Sequence, residues 1–114
     1  MKGPERLLYS LRLGTYKLLI LSLAMRYGKV HGYWIKKEIY KDSLGMLSPS
    51  EGTIYQALKQ LTNMGLLKPH WEESERGGMV KVYEVPEEKR AEVERLLKLA
   101  EKELETILKV LRGD

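Results

Sequence analysis

Polar and apolar positions along the chain follow helical spacing almost everywhere, and switch to strand-like alternation only between about Leu66 and Val85. Leu7, Leu8 and Leu11 fall on one side of a short helix, which Pro4 can begin and Gly14 terminates. Thr15 then caps a second stretch, from Tyr16 to about Tyr27. Its apolar residues Leu18, Leu19, Ile20, Leu21, Leu23 and Ala24 point all around the helix rather than along one stripe. One small domain supplies cover on one side only, so this helix predicts a partner subunit over the rest, with Leu19 and Leu23 at the contact. Gly28 stops it, a short turn leads to His31, Gly32 and Tyr33, and after these Ile35 and Ile39 mark a further helix to about Lys41. The outer face of that helix is basic, with Lys36, Lys37 and Lys41. Trp34 has no place on its apolar stripe and is either a packing residue or a ligand platform.

The stretch from Ser48 to Leu67 combines a sharp helix start with one narrow apolar stripe. Ser50 is the predicted N-cap, with Ser48 and Pro49 as the alternative start, and Glu51 puts a carboxylate in the positively polarised first turn. Ile54, Ala57, Leu58 and Leu61 follow i, i+3, i+4, i+7 and share a buried face, while Gly65 stands where a left-handed residue would end the helix. The outward set is Thr53, Tyr55, Gln56, Lys59, Gln60, Thr62 and Asn63. Its hydroxyls and amides can donate to and accept from base edges, and Lys59 adds a cation for phosphate. A solvated surface helix with no nucleic-acid role is the plainer reading of the same stretch.

Beyond it, the residues from Leu66 to Glu73 read as a strand that Pro69 confines to an edge. Those from Met79 to Val85 read as its partner, and Glu75, Arg76, Gly77 and Gly78 form the turn. Arg76 and Lys81 are the cations of this hairpin. After Pro86, a helix without Gly, Pro or aromatic residues runs from Glu87 to Arg112, about 39 Å at 1.5 Å per residue. Val93, Leu97, Ala100, Leu104, Ile107 and Leu111 alternate spacings of four and three, the seam of a coiled coil. Such a seam folds back on its own domain or pairs between subunits, and the over-apolar earlier helix favours pairing.

Two helices, a polar-faced third helix and a two-stranded hairpin describe a mainly α fold with a small β-hairpin, a winged helix-turn-helix. Residues 1–86 form that domain and 87–114 a dimerisation helix. With 114 residues the chain suits one core plus an appendage. It has no cysteine, and His31 and His70 stand alone, so neither a disulfide, a metal cluster nor a catalytic dyad can be composed and no cofactor is expected. No nucleophile–base pair or phosphate loop points to an enzyme. The apolar run from Leu18 to Met25 falls short of the roughly twenty residues a bilayer span needs. Lys2, Arg6 and Arg12 imitate a signal peptide, but Glu5 lies among them and no small-x-small cleavage site follows, so the cytoplasm and no membrane partner are expected.

The net charge of +4 is unevenly spread. From Thr15 to Lys68 there are eight Lys and Arg against three Asp and Glu, whereas from Pro69 onward the balance is acidic. A basic part that carries the polar-faced helix is the footprint of a polyanion binder.

Several of these residues together resemble the PadR family of transcriptional regulators, over about Leu18 to Tyr83. His31, Gly32, Tyr33, Ile35 and Lys36 match its HGYxIK element. Ser48, Pro49, Ser50, Gly52, Thr53, Ile54, Tyr55, Ala57 and Leu58 match its SPSxGTIYxAL helix, and Gly65, Leu66, Trp71 and Glu72 match GLI…W-E. The resemblance implies a homodimeric winged-helix DNA-binding protein, usually a repressor, of the compact branch whose single terminal helix packs on the partner's first helix. The family wing often carries arginines after its paired glycines, where this chain has Met79 and Val80. The terminal helix also lacks the aromatics with which the drug-sensing branch stacks flat ligands, so an effector, if there is one, is of another kind. The DNA-contacting set predicted is Ser50, Thr53, Tyr55, Gln56, Lys59, Gln60, Lys36, Lys37, Arg76 and Lys81. Double-stranded DNA, a second copy of the chain and an unidentified small-molecule effector are the partners considered. The alternative is a winged-helix protein-interaction module that does not bind DNA specifically.

Overall fold

A computed structural model describes residues 3–114; Lys2 lies outside them. The order is α1 (Glu5–Tyr27), α2 (Gly32–Asp42), α3 (Glu51–Asn63), β1 (Lys68–Glu73), β2 (Met79–Glu84), a 3-10 turn (Glu87–Lys89) and α4 (Arg90–Arg112). This is the mainly α architecture with a hairpin and a long last helix that the pattern predicts.

The first helix differs from expectation. Gly14 does not end it: α1 runs unbroken for 23 residues, and Thr15 turns its hydroxyl back to the Leu11 carbonyl at 2.8 Å instead of capping a new helix. A lone glycine costs a helix only about 0.5–1 kcal/mol, too little to break one flanked by leucines on both sides. The C-terminal half of α1 buries Tyr16, Ile20, Leu21, Leu23 and Ala24 in the core, whereas Leu7, Leu8 and Leu11 on the first half are exposed. By length and composition α1 is apolar enough to cross a membrane, contrary to the shorter run read from the sequence. Its C-terminal half packs in the core.

The second helix starts earlier than the sequence implies. His31 is its N-cap, with Nδ1 accepting from the Trp34 amide at 3.3 Å, so Gly32 and Tyr33 belong to the first turn of α2 rather than to a connecting turn. Trp34 is half-buried against the core and meets Tyr27 edge-to-face at 5.1 Å, the packing role. Ile35 and Ile39 join Ile20 and Leu21 of α1 and Ile54, Leu58 and Leu61 of α3 in a single core. Each such side chain contributes roughly 1.5–3 kcal/mol by leaving water.

The antiparallel hairpin pairs Lys68 with Glu84, Trp71 with Lys81 and Glu73 with Met79. Val30, just before α2, exchanges both backbone hydrogen bonds with Tyr83, at 2.9 and 2.7 Å, on the other side of β2. Pro69 therefore sits on the outer strand, where no ladder donor is missed. The turn closes through Ser74, whose hydroxyl accepts from the Arg76 amide, with Gly77 and Gly78 both at positive φ.

A 3-10 turn takes up the first residues of the predicted last helix, so α4 begins at Arg90. Arg90 Nη2 donates to the Met25 carbonyl at 3.4 Å, docking the start of α4 on the C-terminal end of α1. Val93 is buried and Leu97 packs on the core. From Glu101 to the end every residue is exposed.

Candidate nucleic-acid interface

Helix α3 is fixed at both ends. The Ser50 side chain accepts from the Thr53 amide at 3.1 Å and donates to the Thr53 hydroxyl at 2.9 Å, so both predicted residues act first as the cap. At the other end, the Leu66 amide reaches the Leu61 carbonyl and the Gly65 amide the Thr62 carbonyl, both at 3.0 Å, with Gly65 at φ 77. This paired closure satisfies carbonyls that the helix would otherwise leave open. Buried Ile54, Leu58 and Leu61 hold the helix on the core, which turns Gly52, Gln56, Lys59 and Asn63 outward.

The outward face has two flanks. On one, Thr53, Gln56 and Gln60 line a groove of about 580 Å³ whose other wall is Tyr9, Leu13 and Lys17 of α1. Lys17 was not singled out in the sequence because α1 reads there as two helices; the spacing of Tyr9, Leu13 and Lys17 along one continuous helix is the signal that places it. On the other flank Tyr55 lies against α2. A Cβ on Gly32 would stand 3.3 Å from its ring, and Tyr55 also neighbours Tyr83, whose hydroxyl pKa is raised chiefly by burial and then by Tyr55. Tyr55 is thus an outward residue that also joins α3 to α2. Thr62 turns inward to its own helix, its hydroxyl donating to the Leu58 carbonyl.

Lys36 and Lys37 line a shallow groove of about 570 Å³ with Tyr33, Tyr40, Ser48 and Pro49, close before the start of α3. Lys37 Nζ rests 5.3 Å from the Tyr33 ring centroid, a contact that leaves its three donors available. Lys41 instead pairs with Glu38 within α2 at 3.1 Å, and this raises its pKa. On the hairpin, Arg76 is exposed in the turn. Lys81 Nζ stands 5.9 Å from the Trp71 centroid and 5.7 Å from that of Tyr83. The opposite face of the hairpin carries the Lys29–Glu72 ion pair, whose hydrogen bond raises the Lys29 pKa, and His70 Nε2 at 3.4 Å from Glu84.

The residues predicted at a subunit contact divide. Leu23 and Val93 are 2% and 0% exposed within the single chain, so they belong to its own core and not to an open face. Leu19, Leu97 and Ala100 are half-buried, while Leu104, Ile107 and Leu111 are exposed along the free part of α4, beside Leu99 and Leu108. The seam read from the sequence therefore starts inside the domain and leaves it. No group of three or more His, Asp or Glu among the described residues is placed to hold a metal ion.

Known proteins share this fold. The model of the transcriptional regulator PadR-like family matches residues 20–95. A transcriptional regulator from Clostridium thermocellum superposes with TM-score 0.73 at 23% identity, covering 99% of this chain and 97% of that one. A PadR family transcriptional regulator from Eggerthella lenta gives 0.73 at 20% identity, covering 96% and 93%. One from Clostridium difficile gives 0.66 at 26%, covering 86% and 95%. No curated protein matches the chain.

Proposed function

The chain belongs to the PadR-like family of transcriptional regulators, and from that premise we propose that it is a cytoplasmic homodimeric repressor that places α3 in the major groove of a pseudo-palindromic DNA site. The observation that carries the reading is α3 itself: a helix capped at Ser50, closed at Gly65 and held on the core, whose outward Gln56, Gln60 and Lys59 offer amides and one cation. Residues of this kind hydrogen-bond to base edges, while Lys36, Lys37 and Lys59 supply the sequence-independent attraction to phosphate. Residues 1–86 serve as the DNA-binding part and 87–114 as the dimerisation helix.

Support for a second copy comes from what one chain leaves uncovered. Leu104, Ile107 and Leu111 of α4 and Leu7, Leu8 and Leu11 of α1 are exposed. An apolar helix face of that length is stable in water only when covered. Pairing α4 with the partner's α1 covers both sets at once, and a two-fold dimer presents two copies of α3 to successive grooves.

The test is selection of binding sites from a random duplex library, followed by titration of the winning site at several salt concentrations. A site with two-fold symmetry and half-site centres about 10 bp apart, or a multiple of that, is expected. So is an affinity that falls steeply with salt. Selection of no sequence, together with salt-insensitive retention, would favour the protein-interaction module instead.

A further inference from the structure

Trp71 is 63% exposed, on a hairpin whose inner residues are well packed. Its surroundings say which side it serves. Because side chains alternate along a strand, the register puts Pro69, Trp71 and Glu73 of β1 on the same face as Tyr83, Lys81 and Met79 of β2. At the root of the hairpin this face is closed by Tyr83, buried and hydrogen-bonded through its backbone to Val30, two residues before the Gly32 that Tyr55 of α3 lies against. The root of this face therefore stands beside the contact between α2 and α3, and the face points away from the one that carries Glu72, paired with Lys29, and His70.

On this face Lys81 Nζ sits between two rings, 5.9 Å from Trp71 and 5.7 Å from Tyr83. A lysine stem is ordinarily free to swing, and fixing it costs entropy when a phosphate is bound. Here two aromatic faces within cation–π reach attract the ammonium, and the N–H turned away from them is open to an anion. Building on the DNA-binding reading above, we propose that Trp71 is a DNA-contacting residue of the wing: its ring lies against the sugar–phosphate backbone of duplex DNA and holds Lys81 toward a phosphate. A wing that carries Met79 and Val80 after its paired glycines then engages DNA through an aromatic platform and one held cation, in place of a row of arginines.

The experiment uses the full chain with Trp34→Phe, which leaves Trp71 as the one tryptophan. Random-sequence duplex is added at low salt, and binding is followed independently by the anisotropy of a labelled duplex. Trp71 emission should shift to the blue and lose accessibility to acrylamide in step with the anisotropy. Lys81→Ala should lower the salt slope of binding by about one unit, and should matter less in a Trp71→Ala background, whereas Trp71→Phe, which keeps a ring, should retain most of the affinity. Circular dichroism melts of each variant separate these effects from loss of the fold. Clear anisotropy binding with unchanged Trp71 emission and quenching would overturn the role of Trp71. So would protection of Trp71 that depends on protein concentration without DNA, which assigns the face to the subunit contact. No anisotropy change with wild-type protein would instead overturn the DNA-binding reading itself.

Discussion

The ring of Tyr55 closes over Gly32, so that a Cβ added there would stand 3.3 Å from two of its carbons. This contact docks α3 on the first turn of α2 and sets where Tyr55 points. Alanine is compatible with the backbone at Gly32, the first residue of α2, but its methyl group must push the ring aside by a few tenths of an ångström. Tyr55 is 55% exposed, so the ring has room to swing toward the face proposed for DNA. Gly32→Ala should therefore melt close to wild type and bind duplex more weakly, as judged by thermal melts and duplex anisotropy. Unchanged affinity with an unchanged melt would show that the position of Tyr55 is irrelevant to the interface.

Much of this was legible because each signal was local. Ser50, the Ile54–Leu58–Leu61 stripe and Gly65 define α3 through bonds no longer than one helical turn, and the structure repeats them. Two features were not legible. The continuity of α1 through Gly14 depends on whether the chain turns there, and a glycine whose φ stays helical looks the same in sequence as one at a helix end. The bridge between Val30 and Tyr83 joins residues far apart in the chain, with no pattern around Val30 to announce a strand. The same difficulty affects Leu23 and Val93, since apolar spacing marks a buried face without saying which chain buries it.

That ambiguity yields a test. Leu104→Glu and Ile107→Glu alter side chains exposed in the single chain, so each should give a folded monomer by equilibrium sedimentation. Val93→Glu would instead bury a charge in the core, which costs several kcal/mol without a partner, and should unfold the domain. Leu97→Glu, half-buried against the core, should show both effects in part. If Leu104→Glu and Ile107→Glu both sedimented as wild type does, pairing through α4 would have to be abandoned.

Base reading and phosphate attraction should separate by residue. Gln56 is outward on α3 and carries an amide that can pair with an adenine edge. Gln56→Ala should cost about 1–3 kcal/mol on the preferred site and little on random duplex. Lys36→Ala or Lys37→Ala should weaken both alike and lower the salt slope by about one unit each. Site selection repeated with Gln56→Ala checks the first claim: recovery of the wild-type preference would mean that another face of the protein reads the bases.

The last prediction turns on Glu73, which stands opposite Met79 on the same hairpin face as Trp71 and Lys81. If that face meets DNA, the Glu73 carboxylate is the one like-signed group there and opposes the phosphates. Glu73→Gln should then tighten binding to random duplex at low salt, with the gain fading as the Debye length shrinks to about 10 Å near 0.1 M salt. Met79→Arg adds a cation but places it beside Glu73, where cross-strand pairing neutralises part of it. It should therefore gain less alone than in a Glu73→Gln background, a coupling between neighbours that a double-variant cycle measures directly. Because phosphate contacts carry no sequence information, both changes should raise affinity for the selected site and for random duplex by the same factor. A Glu73→Gln protein that binds random duplex no better than wild type at any salt concentration would place this face of the hairpin away from DNA. A gain confined to the selected site would show it contacting bases instead.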